Sequence, residues 1–198
     1  MVRFTRIDTK ENLVLHVVGD ASYRSDGPSI GGKLIMLGSK NSDRVNPILW
    51  KSKQIVNVCH SAKDAETRNI LNLVEDGLYL AQQLSMLLFG SRELKIPVKV
   101  YTDSKPLLDS ISSTKQVANK LLRNTMTDLK RKLEYGEVSS YSWIETRGMT
   151  ADVLTKETGE IENILEVVRE NRFKRANSMK NIVLYRDGEM VMENLERA

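Results

Sequence analysis

The chain has one cysteine, Cys59, and two histidines, His16 and His60, in 198 residues. A single cysteine excludes an internal disulfide and a cysteine-based zinc site, and it fits a reducing, intracellular compartment. Two histidines are too few for a histidine metal site. No apolar run is long enough to cross a membrane, because the longest cluster, around Leu84 to Phe89, falls far short of the ~20 residues a span needs. The start, Met-Val-Arg-Phe-Thr-Arg, is not followed by the apolar stretch of a signal peptide. Repeats and low-complexity tracts are missing too. What remains is a chain of one domain, or one domain plus a tail, with 40% apolar residues and enough material for a hydrophobic core. Its formal net charge of +4 permits a polyanionic partner without demanding one.

Apolar patterning predicts the order of elements. Leu13 to Val18, ending in Gly19-Asp20, reads as a strand, and so does Ile30 to Leu37. Between them Ser25-Asp26-Gly27-Pro28 has turn chemistry. Pro47 to Lys51 and then Gln54 to Val58 complete an antiparallel meander. Leu71, Val74, Leu78, Ala81 and Leu88 recur at helical steps, with Ser61 as the N-cap and Gly90 beyond the end. Val98 to Tyr101 is a short strand ending at Asp103, after which Ser104 caps a short helix. A third helix carries Val117, Leu121, Leu122, Met126, Leu129 and Leu133 on one face. Val138 to Ile144 alternates like a strand, Thr150 to Lys156 reads as a short helix, and Glu160 to Phe173 as an amphipathic one with Ile161, Ile164, Leu165 and Val168 inward. A hairpin follows on turn chemistry alone, Asn181 to Glu193 with Asp187-Gly188 at its centre. The expected fold is α/β, a five-stranded mixed sheet of antiparallel meander plus parallel strands, flanked by helices. The expected division is a domain over 1–157 and a C-terminal helix and hairpin extension over 158–198.

Four acids fall at segment ends. Asp20 ends the first strand, Glu66 lies in the first turns of the long helix, Asp103 ends the fourth strand, and Asp152 follows the fifth. Open α/β sheets place their sites at such ends. Singly, each acid has an ordinary use as a turn residue, a helix cap or a first-turn carboxylate. Together they have the chemistry that phosphodiester hydrolysis needs. Two magnesium ions roughly 3.5–4 Å apart activate a water and stabilise the leaving oxygen. Magnesium prefers hard oxygen ligands. Without a cation, like charges raise one another's pKa.

The same residues resemble a family, the ribonuclease H domain of copia-type long-terminal-repeat retrotransposons. Val18-Gly19-Asp20-Ala21-Ser22-Tyr23 looks like its first-strand segment, and Leu49-Trp50-Lys51-Ser52-Lys53 like its third-strand block. Ser61-Ala62-Lys63-Asp64-Ala65-Glu66 is similar to the start of its long helix, and Tyr101-Thr102-Asp103-Ser104-Lys105 to the segment that carries its third acid. The run from Ile144 to Lys156, ending Ala151-Asp152-Val153-Leu154-Thr155-Lys156, is the most specific block. The resemblance covers about residues 12 to 157. It implies a ribonuclease H-like fold and cleavage of the RNA strand of an RNA–DNA hybrid. It also implies two Mg2+ ions, with Mn2+ as a substitute, held by Asp20, Glu66, Asp103 and Asp152 as the catalytic and metal-binding residues. The partners would be the hybrid, a reverse transcriptase or other segments of the polyprotein, and no membrane. The location would be the cytoplasm, including virus-like particles, or the nucleus. Asp64 falls on the family's other helix acid and reads as a helix-start residue, with an assignment swapped with Glu66 as the alternative. The Thr67-Arg68-Asn69 stretch departs from the apolar run usual in the family, and no histidine stands near Asp152.

A hybrid-binding surface needs cations along its phosphates. The candidate cations are Lys51, Lys53, Lys105, Lys115, Lys120, Arg123, Lys130, Arg131 and Lys132, with Ser104 as a candidate for sugar or base contacts. The run Lys130-Arg131-Lys132 reads equally as a cationic helix C-terminus. Tyr23 and Trp50 are candidates for sugar or base contacts, although Trp50 reads first as a core residue. A decayed or domesticated module that binds nucleic acid or a protein is the alternative reading, with the polar stretch after Glu66 and the free-standing Met start in its favour. An integrase-like strand-transfer enzyme shares the fold but not the fourth acid or the final block.

Overall fold

A computed structural model describes residues 2, 4–7, 12–40, 42–115, 117, 119–156, 161–173 and 179–195. Its centre is strand β1 (Leu13–Ser22), whose near-continuous apolar run is buried on both faces. Strands β2 (Ile30–Ser39) and β3 (Val45–Gln54) extend it as an antiparallel meander. On the other side β4 (Val98–Thr102) and β5 (Val138–Ile144) pair in parallel. Strands β6 (Met179–Arg186) and β7 (Glu189–Asn194) then add to β5 antiparallel. The order is β3-β2-β1-β4-β5-β6-β7, a sheet of seven strands rather than the five expected. The reason is the C-terminal hairpin. Asp187 and Gly188 both take positive φ, which suits a two-residue turn, and the hairpin covers the edge of β5 that would otherwise stand open. The expected boundary between 157 and 158 touches residues outside those described.

Alternation along β1 feeds two cores. Leu15 and Val17 face helices α1 (Ala62–Phe89), α2 (Lys105–Ser112) and α3 (Lys120–Glu134), where Ile70, Leu73, Leu107, Met126 and Leu129 are buried. Val18 faces the other way, against Leu34, Met36, Tyr101, Met149, Val167 and Phe173. That second layer is built by tight turns at Thr146–Gly148 and Asp152–Leu154, the short helix α4 (Ile161–Leu165) and a wider turn of helix over Glu166–Glu170. His16 is buried in it, with Nδ1 3.0 Å from the Tyr101 hydroxyl.

Several expectations change. Strand β3 is continuous where two pieces were expected, because Ser52 and Lys53 pair with Gly32 and Gly31 and extend the ladder through Gln54. The buried stripe of α1 runs through Ile70, Leu73, Val74, Gly77 and Ala81, so Leu71 and Leu78 lie at its border and Leu88 is exposed. Trp50 is 51% exposed and not core, since its strand lies at the sheet edge. The segment over 150–156 is a single tight turn. Val167 is the residue buried from the helical stretch after 160, while Ile161 is exposed. Ser61 does cap α1 by accepting the Asp64 N–H at 3.1 Å, but the Ser104 side chain makes no capping bond to α2.

Candidate active site

Register brings two of the acids together, Asp20 and Asp103. Val18 stands opposite Tyr101 in the parallel pair, so Asp20 and Asp103 come level at the C-terminal ends of β1 and β4. Helix α1 crosses that end because Gly19 leaves room for it. A Cβ there would lie 2.5 Å from the Leu73 side chain. The close approach carries Glu66 over the strand ends, where its Oε1 accepts the Ala21 N–H at 3.1 Å. Asp20, Glu66 and Asp103 each offer a carboxylate oxygen within 4.8 Å of the others. These are three of the four acids the site was expected to assemble.

Asp152 does not belong to that group. It lies beside it, joined through Lys156, whose Nζ donates to Asp152 Oδ1 and stands 4.0 Å from Asp20 Oδ2. The Thr155 hydroxyl donates to Asp20 Oδ2 as well. Thr146 donates to Asp103 Oδ2 at 3.2 Å. Asn69 Nδ2 donates to the carbonyls of Asp20 at 2.7 Å and Gly32 at 3.0 Å, tying α1 to β1 and β2. The polar stretch after Glu66 is therefore fully used. Thr67 bonds the Lys63 carbonyl, Arg68 pairs with Asp64, and Asn69 braces the strands. Asp64 is buried at the helix start and also accepts the His60 N–H, so it stays out of the cluster.

The electrostatics are those of a crowded, largely buried cluster. Burial raises the pKa of Asp20 above its ordinary value, against the pull of Thr155 and Lys156. Burial and then the Asp20 charge raise Asp103. Glu66 is pushed up to about 9, first by burial and then by the charges of Asp20 and Asp103. Partial burial disfavours the Lys156 charge, but the Asp152 bond and the nearby acids outweigh it and raise its pKa. One oxygen of the cluster, Glu66 Oε2, is buried and has no hydrogen-bond partner among the described residues. Such a group is costly unless something satisfies it. Three carboxylates with an orphaned oxygen form a hard donor set that fits a divalent cation. Asp20, Glu66 and Asp103 would hold it.

The expected nucleic-acid contacts divide into free and engaged cations. Lys51 and Lys53 are exposed and have no ion-pair partner among the described residues. They line a groove between β3 and α1 with Lys33, Arg68 and Asn69, and Asn69 also touches the Asp20 backbone. Ser104 and Lys105 follow Asp103 directly, Ser104 half-buried and Lys105 exposed. The run at the end of α3 is held internally. Lys130 Nζ donates to the Ser113 carbonyl, Arg131 stacks 5.4 Å from the Tyr135 ring centroid, and Lys132 lies 3.8 Å from both Asp128 and Glu137. Sequence reasoning missed Thr155, Lys156, Thr146 and Asn69. The first two stood in the most specific block, and Asn69 in the stretch read as a departure.

No protein-family model matches the chain, and no curated protein matches it in sequence. Its backbone does match solved structures. The ribonuclease H1 of the halophilic archaeon Halobacterium salinarum superposes with a TM-score of 0.54 at 15% identity, over 72% of this chain and 95% of that one. The N-terminal ribonuclease H domain of Rv2228c from Mycobacterium tuberculosis gives 0.54 at 16%, over 73% and 92%. LC11-RNase H1, solved in complex with an RNA/DNA hybrid, gives 0.51 at 18%, over 76% and 99%. With the sheet order and the acid cluster already described, these likenesses establish that the chain has a ribonuclease H-like fold.

Proposed function

We propose that the chain is a retrotransposon-type ribonuclease H that cuts the RNA strand of an RNA–DNA hybrid endonucleolytically, with Mg2+ as its resident cation and Mn2+ as a substitute. The observation that carries the reading is the meeting of Asp20, Glu66 and Asp103, from three separate elements, within 4.8 Å at the strand ends. Bound divalent cations supply an activated water and charge for the leaving oxygen. The chain's own residues do the rest. Asp20, Glu66 and Asp103 form the anionic cradle, Asp152 stands beside it, Thr146 and Thr155 orient carboxylates, and Lys51, Lys53 and Lys105 grip phosphates along the approach. The retrotransposon assignment rests on the blocks around Asp20, Trp50, Glu66, Asp103 and Asp152. In that setting the domain works beside a reverse transcriptase, in the cytoplasm or the nucleus.

The test is cleavage of an end-labelled RNA–DNA hybrid in Mg2+, with duplex DNA and duplex RNA as controls. Internal cuts confined to the RNA strand of the hybrid are expected. Discrimination would come from the 2′-hydroxyls and groove shape that only a hybrid combines. Binding of the hybrid without cutting in either Mg2+ or Mn2+ would replace this reading with that of a non-catalytic nucleic-acid-binding module.

A further inference from the structure

Among the described residues, Lys156 is the one cation that pairs with the acids of the site, and the activity proposed above gives it no role. Its Nζ bonds Asp152 Oδ1 and lies 4.0 Å from Asp20 Oδ2. The backbone fixes where it starts. The Lys156 N–H donates to the Asp152 carbonyl at 3.0 Å, and Thr155 bonds Asp20. Gly32 lets this segment sit against β2, since a Cβ there would lie 2.8 Å from Thr155 Cγ2 and 2.9 Å from the Ala151 carbonyl. The rest of the side chain is a flexible stem, 39% exposed, free to leave for solvent.

We propose that in the free protein the Lys156 ammonium holds the place of a second divalent cation between Asp20 and Asp152, so that the chain alone takes a single divalent cation, at Asp20, Glu66 and Asp103. The proposal rests on the reading of that cluster as a divalent-cation site. Two observations separate the positions. Among the described residues Glu66 Oε2 has no hydrogen-bond partner, so the cluster has an unpaired buried oxygen with which Lys156 makes no bond. Asp152, by contrast, has its partner already. Charge gives the same answer. One divalent ion plus the ammonium nearly balances four carboxylates, whereas a second divalent ion beside the ammonium makes the site positive and the two cations repel. A second ion therefore enters only as Lys156 swings out, which ties its arrival to something that draws the ammonium away. A substrate phosphate has the right charge to do so.

The experiment counts Mn2+ bound per chain by electron paramagnetic resonance of the free ion, at neutral pH and without nucleic acid. The wild type should bind one ion, Lys156→Met and Lys156→Gln should each bind two, and Lys156→Arg should return to one. Circular dichroism confirms that each variant is folded, and the wild-type count decides part of the question without any variant. Two ions on the wild type, or one on both neutral variants, would overturn the proposal. Hybrid cleavage measured in parallel keeps the two readings apart. An unshifted count with hybrid cleavage intact sinks this inference alone. A shifted count in a chain that never cuts hybrids sinks the ribonuclease reading and leaves this one standing. A wild type that takes up no Mn2+ overturns both.

Discussion

Without metal, the protein should lose stability as pH rises, and Glu66→Gln should remove most of that loss. Glu66 has a pKa of about 9 in the folded chain against an ordinary value of 4.5. Between those values the folded state keeps a proton that the unfolded state has released, so the stabilising difference is present at low pH and fades upward. One fully linked proton gives a slope of about 1.4 kcal/mol per pH unit. From about pH 5 to about pH 8 the loss is up to about 4 kcal/mol. This is a ceiling, because Asp20 and Asp103 are raised as well and the three titrate together. The glutamine amide is the neutral isostere and needs no proton. Its oxygen still accepts from the Ala21 N–H. The assay is urea denaturation in chelator at a series of pH values. The wild-type midpoint should fall with pH, the variant should fall less, and the variant should be the more stable chain at the alkaline end. Excess Mg2+ should reverse the ranking, since a cation that binds only the folded state stabilises by mass action and an amide is the poorer ligand. Parallel wild-type and variant curves in chelator would refute the buried, protonated Glu66.

Asp103→Asn should abolish hybrid cleavage while the metal-free melting temperature holds or rises, because one of three crowded charges is gone; cleavage at the wild-type rate would remove Asp103 from the machinery. Replacing Lys51 and Lys53 together by alanine should flatten the salt dependence of hybrid binding by about two units, one for each phosphate that is no longer neutralised. The Lys130, Arg131 and Lys132 triple alanine variant should instead lower stability by about 1–3 kcal/mol with little change in that slope, since their groups already serve the end of α3; the opposite pattern would move the binding face to α3. Gly32→Ala should cost about 1–3 kcal/mol by overpacking and displace the Asp152–Lys156 segment, so an unchanged melting temperature in chelator and an unchanged Mn2+ affinity would show that the close approach is not needed.

Patterning alone located the strands of the core and the helix starts, because those depend on local rules. The run Leu13 to Val18, the Ser61 cap and the Asp187-Gly188 turn each act through neighbours a few residues away. The acids near strand ends were legible for the same reason, since Asp20 and Asp103 lie just past the last parallel pair of the central strands β1 and β4, toward their C-terminal ends. The resemblance named the acids, but the geometry by which three of them meet and Asp152 stands aside was not legible. Asp20 and Asp103 come level through a parallel register, and Glu66 joins them because Gly19 admits α1, both long-range facts. The same limit hid the roles of Asn69, Thr155 and Lys156 at the site, since each reaches Asp20 from dozens of residues away, although Lys156 also pairs locally with Asp152. Trp50 was misread because an edge strand and a central strand share the same apolar chemistry and differ only in what pairs beside them. Local propensity and side-chain identity thus carried most of the elements and the carboxylate chemistry. Tertiary packing alone decided that three acids form one cluster and that the local Asp152–Lys156 pair stands against it, because only the assembled sheet brings distant side chains within a few ångströms.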